Sequence, residues 1–142
     1  MKKSIKNNMD NGKPGVGIGV IVVKDGKILV GKRVSSHGAE TWCFPGGKLH
    51  FGESFEACAK REVFEEAGIF INNVKFITVT NDIFEKEGQH WITIFLQADY
   101  ASGTVKEKEP NKMRKWQWVS WDRIPKPLFV PLANLKKTGY RQ

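Results

Sequence analysis

Residues 46–68, GGKLHFGESFEACAKREVFEEAG, constrain the fold more tightly than any other part of the chain. The pattern from about Glu53 to Ala67 predicts a helix, stopped by Gly68 in the C-cap position. At about 100° per residue, Phe55, Cys58 and Ala59 form one apolar stripe. Glu62 and Glu66 continue that stripe one and two turns further on, and Glu65 flanks them. Two carboxylates therefore occupy the face that should be buried, at the helix end whose exposed carbonyls disfavour negative charge. Like charges at this spacing cost about a few tenths of a kcal/mol even on an exposed face, and more when partly buried. A solvated face would show the reverse order, acids early and bases late.

A divalent cation resolves the conflict. Carboxylates three and four residues apart on one helical face suit one or two hard ions, and the oxygen-rich setting favours Mg²⁺, with Mn²⁺ as the alternative. The ion offsets both the mutual repulsion and the helix dipole. The glycine-rich stretch that ends at Glu53 supplies the other half, because glycines let backbone amides approach a phosphate. The chain is also basic, with 23 Lys and Arg against 15 Asp and Glu, a net charge of +8. That excess suggests an anionic partner, a phosphorylated small molecule or a nucleic acid, and solubility alone is the plain alternative. Metal, glycine loop and basic charge together predict a polyphosphate handled by a metal-dependent reaction.

At 142 residues the chain can bury one good core but not two. The expectation is a polar tail over 1–13 and a single domain over 14–142. The longest apolar run lies within 18–23, far too short to span a bilayer, so no membrane role is expected. The basic N-terminus lacks a small-residue cleavage site, which argues against export. Cys43 and Cys58 form neither a disulfide framework nor a zinc site, so a reducing, cytoplasmic setting is the default, with Cys58 a small buried thiol.

GVGIGVIVV, 15–23, alternates as a strand, with Val16, Ile18, Val20 and Val22 on one face and Gly15, Gly17 and Gly19 on the other. The glycine face leaves room for a planar base against the sheet, or for a closely packed helix. Asp25-Gly26 predicts a hairpin into KILVGKR. IFINNVKFITVTNDIFE and QHWITIFLQADY read as long strands paired around Lys86-Glu87-Gly88. A charged loop over 103–114 precedes the strand WQWVSW, and LFVPLANLKKTGY reads as a second helix with Pro131 near its first turn. The fold class is α/β or α+β, a sheet sandwiched between helices.

Gly47, five residues, Glu53, seven residues and then REVFEEAGI match the 23-residue Nudix box at every defined position. With PGVGIGVIV, LVGKR, FPGGKLHFGE, EKEGQHWITIF and the W-x-W-V-x-W strand, the chain resembles the MutT-type branch of the Nudix hydrolases. Within it, the likeness is greatest to nucleotide triphosphate diphosphatases of the human Nudix type 15 kind and their plant relatives. The resemblance implies an α/β/α sandwich with a mixed sheet, and hydrolysis of a nucleoside diphosphate linked to a further group. In the MutT-type branch a nucleoside triphosphate gives the monophosphate and pyrophosphate.

Residue by residue, the resemblance makes Glu62 and Glu66 the principal Mg²⁺ ligands and Glu65 a further ligand or water-orienting group. Arg61 holds the acids in shape, pairing with Glu53 or Glu65, and Gly46 and Gly47 offer backbone to metal or phosphate. Relatives carry a second acid shortly before the W-x-W strand. Here EPNKMRKW places Arg114 at that position and leaves Glu109 as a candidate ligand outside the box. Arg33 is a candidate phosphate contact, and Phe44, Leu128 and Phe129 are candidates for the base, each weighed against an ordinary surface or core role. Trp116, Trp118 and Trp121 pack or edge a pocket, and His37, His50 and His90 lack metal spacing.

Three readings are compatible with these residues. The first is a Mg²⁺-dependent nucleoside triphosphate diphosphatase, acting on ordinary, oxidised or otherwise modified nucleotides. The second keeps the chemistry but takes ADP-ribose, a dinucleoside polyphosphate, a pterin triphosphate or an RNA 5′ end. The third is a non-catalytic nucleotide-binding module, against which the intact box counts. The absence of an extended basic platform weighs against RNA. Homodimers are common among such relatives, and the residues do not decide it.

Overall fold

A computed structural model describes residues 12–142, so the expected tail falls almost entirely outside the described residues. The alternation of the first strand, β1 (Gly15–Lys24), organises the rest of the sheet. Ile18, Val20 and Val22 point into one apolar cluster and Ile21 into another on the opposite side. Asp25 and Gly26 both take positive φ, 50° and 76°, the geometry of a two-residue hairpin turn. The chain then returns as β2 (Lys27–Arg33).

β1 and β2 stay together only briefly, at Val23↔Ile28 and Lys24↔Lys27. Two short strands come next, β3 (Trp42–Cys43) on β2 and β4 (Gly46–Lys48) on β1. β4 takes the edge of β1 that β2 has left, pairing Ile18↔Gly47 and Gly19↔Gly46. The other edge of β1 runs parallel to β6 (Gln89–Ser102) along nearly its whole length. β5 (Phe70–Phe84) and β6 form the long antiparallel hairpin expected from the sequence, and β7 (Met113–Val119) pairs with β2. The result is a mixed seven-stranded sheet, ordered β3-β2-β1-β6-β5 with β4 and β7 branching from it.

Two helices cover opposite faces, which gives the expected α/β/α layering. α1 (Phe55–Ala67) buries Cys58, Ala59, Val63 and Ala67 with Ile18, Val20, Ile94 and Leu96. α2 (Val130–Lys137) buries Leu132 and Leu135 with Ile21, Ile28, Val30 and Phe95. Pro131 sits in the first turn of α2, where its missing N–H is no loss.

α1 begins two residues later than the sequence pattern suggests. Ser54 is its N-cap, with its hydroxyl accepting from the Ala57 N–H at 3.1 Å, an arrangement worth about 1 kcal/mol. Glu53 therefore lies outside the helix. Phe55 does not share the buried stripe either, being 43% exposed at the first helical position. At the far end Gly68, at φ 75°, donates its N–H to the Phe64 carbonyl at 2.9 Å and stops the helix as expected. Among the described residues, no helix is long and apolar enough to cross a membrane.

Candidate active site

The acids at the end of α1 lean against β4, and the two glycines there make the approach possible. A Cβ on Gly47 would stand 2.3 Å from a carboxylate oxygen of Glu62, and one on Gly46 would stand 2.0 Å from the Ile18 carbonyl oxygen. Bare backbone is the only surface that fits. Glu62 and Glu66 are each only 8% exposed. Glu66 accepts from the Gly46 N–H at 3.1 Å.

Arg61 ties the other carboxylates together. Its Nε and Nη2 donate to the two oxygens of Glu53 at 2.7 and 2.9 Å, a bidentate pair. Nη1 reaches Glu62 at 3.0 Å and Glu65 at 3.2 Å, and Nη2 also reaches the Lys48 carbonyl at 3.3 Å. The guanidinium hydrogen bonds hold the Glu53 carboxyl down to about 2. Burial has the opposite effect on the inner pair. It raises Glu62 despite Arg61, and it pushes Glu66 up to about 8, with the charges of Glu62 and Glu109 adding to the effect.

Glu109, the candidate outside the box, is thus brought within electrostatic reach of both inner glutamates. Glu65 is turned towards Arg61 instead. Among the described residues, no three acidic, histidine or cysteine side chains are gathered into a finished metal cage. The donor chemistry nevertheless fits a divalent cation. Two buried carboxylates stand side by side, and the inner one, Glu66, has one backbone N–H as its hydrogen-bond donor and the more distant Arg33 as a favourable charge. A hard dication there would relieve both the burial penalty and the mutual repulsion.

The acid cluster opens onto a cavity of about 240 Å³. Its floor is the α2-facing side of the sheet, Gly17 and Gly19 of β1 with Thr93 and Phe95 of β6. Gly46, Gly47 and Glu66 form part of the same lining. Since α1 lies on the opposite face, the connection runs through the place where β1 parts from β2 and only the glycines of β4 intervene.

The glycine face of β1 is occupied in a way the sequence did not indicate. Aromatic rings from the neighbouring strand cover it, for a Cβ on Gly15 would be 2.8 Å from Trp91 and one on Gly19 would be 2.8 Å from Phe95. The open volume lies above this aromatic floor. Arg33, Phe44 and Phe129 line it. Phe44 is mostly core, stacked on Trp121 at 6.4 Å. Leu128 is absent from that lining. Residues 127–129 are stitched to Trp42 by backbone hydrogen bonds, and Leu128 packs on the core there, while Pro131 and Leu132 take the place on the cavity wall.

His37 is the residue that sequence reasoning missed. It lines the cavity, with its ring 4.5 Å from Phe84, 5.4 Å from Phe129 and 6.2 Å from Trp91. Its Nδ1 pairs with Glu87, whose other oxygen accepts from the Gly38 N–H at 3.0 Å. Arg33 donates to the His37 carbonyl at 2.9 Å and stacks on Phe129 at 4.1 Å. The loop before β3 is thereby fastened to the tip of the β5–β6 hairpin. Burial lowers the pKa of His37, overriding the raising effect of Glu87. Trp116 and Trp118 pack on the α1 side and Trp121 on the α2 side, and the tryptophan on the cavity wall is Trp91.

The chain belongs to the Nudix family: the NUDIX domain family model matches residues 13–138. It is a Nudix pyrophosphohydrolase of the MutT type. The oxidized purine nucleoside triphosphate hydrolase of Danio rerio is 33% identical over 106 residues, covering 75% of this chain and 66% of that protein. The RNA pyrophosphohydrolase of Acinetobacter baylyi is 28% identical over 146 residues, covering 88% and 82%. The crystal structure of the MutT NUDIX hydrolase from Burkholderia pseudomallei superposes with a TM-score of 0.80 at 33% identity, covering 87% of this chain and 97% of that one. Nudix hydrolases generally use divalent metal ions and act on small nucleotide substrates.

Proposed function

We propose that the protein hydrolyses a nucleoside triphosphate, whether ordinary, oxidised or otherwise modified, to the monophosphate and pyrophosphate. The observation that carries this reading is the shared lining: a carboxylate of the acid cluster, Glu66, and an aromatic cavity of base size meet across Gly46. Glu62 and Glu66 would hold Mg²⁺, with Mn²⁺ as the alternative, and Glu65, which faces Arg61 without the ion, and Glu109 are the further candidate ligands. The ion, when bound, lowers the pKa of a water and offsets the charge of the leaving pyrophosphate. Arg61 keeps Glu53, Glu62 and Glu65 in a fixed arrangement, so that little reorganisation accompanies binding. Gly46 and Gly47 present backbone to the metal or the phosphates, and Arg33 adds positive charge to the cavity wall. Trp91, Phe129 and Phe44 hold the base.

The test is product release from ordinary and oxidised nucleoside triphosphates, ADP-ribose, diadenosine polyphosphates and triphosphorylated RNA, with Mg²⁺ and again with chelator. Monophosphate and pyrophosphate formed only with metal are the expected result. The RNA 5′ end is the second reading, supported by the similarity to the Acinetobacter baylyi protein, and turnover of RNA above free triphosphates would favour it. Exposed apolar residues on the edge strand β5, among them Phe76 and Val79, support a homodimer, to be checked by sedimentation velocity. Both cysteines are free and buried, in keeping with a reducing, cytoplasmic setting.

A further inference from the structure

Between Trp91 and Phe95, on the side of β6 that floors the cavity, stands the hydroxyl of Thr93. Its Oγ1 lies 2.6 Å from Oδ2 of Asp82, which is fully buried on β5. Two more donors converge on that carboxyl group. Thr80 Oγ1 reaches the same oxygen at 3.1 Å, and Asn134 Nδ2 from α2 reaches Oδ1 at 2.9 Å. The hydrolytic reading uses none of these four residues.

Their polarity has a consequence for the ligand. A hydroxyl has one hydrogen, and a carboxylate only accepts. The hydrogen of Thr93 is therefore committed to Asp82, and the oxygen has lone pairs alone to offer the cavity. An unconstrained threonine would rotate to suit either a donor or an acceptor. This one is fixed as an acceptor, and a ligand oxygen set against it would face lone pairs with lone pairs.

We propose that Thr93, with its proton held by Asp82, is a specificity-determining residue selecting nucleobases that present an N–H donor at this position. An exocyclic amine or ring N–H is accepted there and a carbonyl or ether oxygen is refused. Asp82 is the positioning residue of the pair. The inference rests on the nucleotide reading of the cavity.

The experiment uses the full-length protein with Mg²⁺ and base pairs that differ by one amine: adenine against purine, guanine against hypoxanthine, and cytosine against 2-pyrimidinone. Each is presented as the nucleoside monophosphate for binding by calorimetry and as the triphosphate for turnover. The amine member of at least one pair should bind roughly tenfold more tightly, the order expected for one hydrogen bond. 6-Methoxypurine, an acceptor in place of the adenine donor, should bind no better than purine. Thr93→Val should bring the amine ratio close to one, and Thr93→Ser should keep it. In Asp82→Ala the proton of Thr93 is released, and the methoxy ligand should gain relative to purine.

An amine ratio unchanged in Thr93→Val would overturn the inference. So would the absence of any amine preference across all three pairs, or methoxypurine binding as well as adenine. A uniform loss for every ligand in Asp82→Ala would make Asp82 a mere tether of α2. If either variant fails to fold, the ligand series on the wild type still decides. Amine-dependent binding without cleavage of any triphosphate would sink the proposed function and leave this inference standing.

Discussion

The two ends of the site are built on opposite principles. The acid end comes from one continuous segment, with Glu53, Arg61, Glu62, Glu65 and Glu66 within fourteen positions of one another and the glycines of β4 just before them. Local spacing and one helix arrange nearly all of it. The base end proposed above is drawn from across the chain: Gly17 from β1, Arg33 from the end of β2, His37 from the loop that follows, Trp91 and Thr93 from β6, Phe129 from the start of α2. No local pattern orders these residues, and the sheet alone brings them together. On the proposed function, chemistry is carried by a cassette and recognition by the tertiary fold.

Substitutions at the two ends should accordingly change different kinetic constants. The largest effect is expected at Glu62→Gln and Glu66→Gln, which should lower kcat on the order of 10³-fold, since several kcal/mol of charge stabilisation depend on the metal site. The melting temperature should hold or rise, because each change removes one of two repelling buried carboxylates. Full activity in both would break the comparison at its strongest point. Gly47→Ala comes next, because its methyl would collide with the Glu62 carboxylate and displace it. Activity should fall sharply with little loss of base binding, as read by monophosphate affinity. Arg61→Lys cannot make the bidentate contact to Glu53, and kcat should drop by about 10- to 100-fold, the range for residues that orient metal ligands.

At the other end Phe129→Ala should raise KM by roughly tenfold with kcat nearly kept, since the ring supplies binding area and holds Arg33. A fall in kcat with unchanged KM would show that the two ends are not separable. The smallest effect concerns pH. The folded pKa of His37 lies below its ordinary value of 6.5. The folded state therefore resists a proton that the unfolded chain accepts, and the stability from the neutral form, complete above about 6.5, declines as pH falls towards the folded pKa. His37→Gln should flatten that decline in melting temperature between pH 7 and 5, measured against wild type.

The same contrast accounts for what could be read in the sequence. Periodicity placed Glu62 and Glu66 on the buried stripe and Gly68 at the helix stop, and both are found there. It misjudged Phe55, because a helical wheel carries no information about where the first turn projects past the sheet. The glycine face of β1 was legible as a space, but not as a space floored by Trp91 and Phe95, since parallel pairing with residues 76 positions on, Gly15 with Trp91 and Gly19 with Phe95, sets that register. Leu128 looked as available as Phe129, and the backbone pairing with Trp42 leaves Phe129 on the cavity wall and Leu128 against the core. His37 gave no signal at all. Its role depends on Glu87, fifty positions on, at the tip of a hairpin.

The parting of β1 from β2 can also be considered from the side of the molecule that enters. A β-sheet is a partition, and here the place where β1 and β2 part is closed only by β4, three residues of which two are glycines. A bulky flat group can rest on one side and charge can be gripped on the other only if what joins them is slender. On the proposed function, the link between base and phosphates would have to pass these bare glycines, where a side chain on either would close the way.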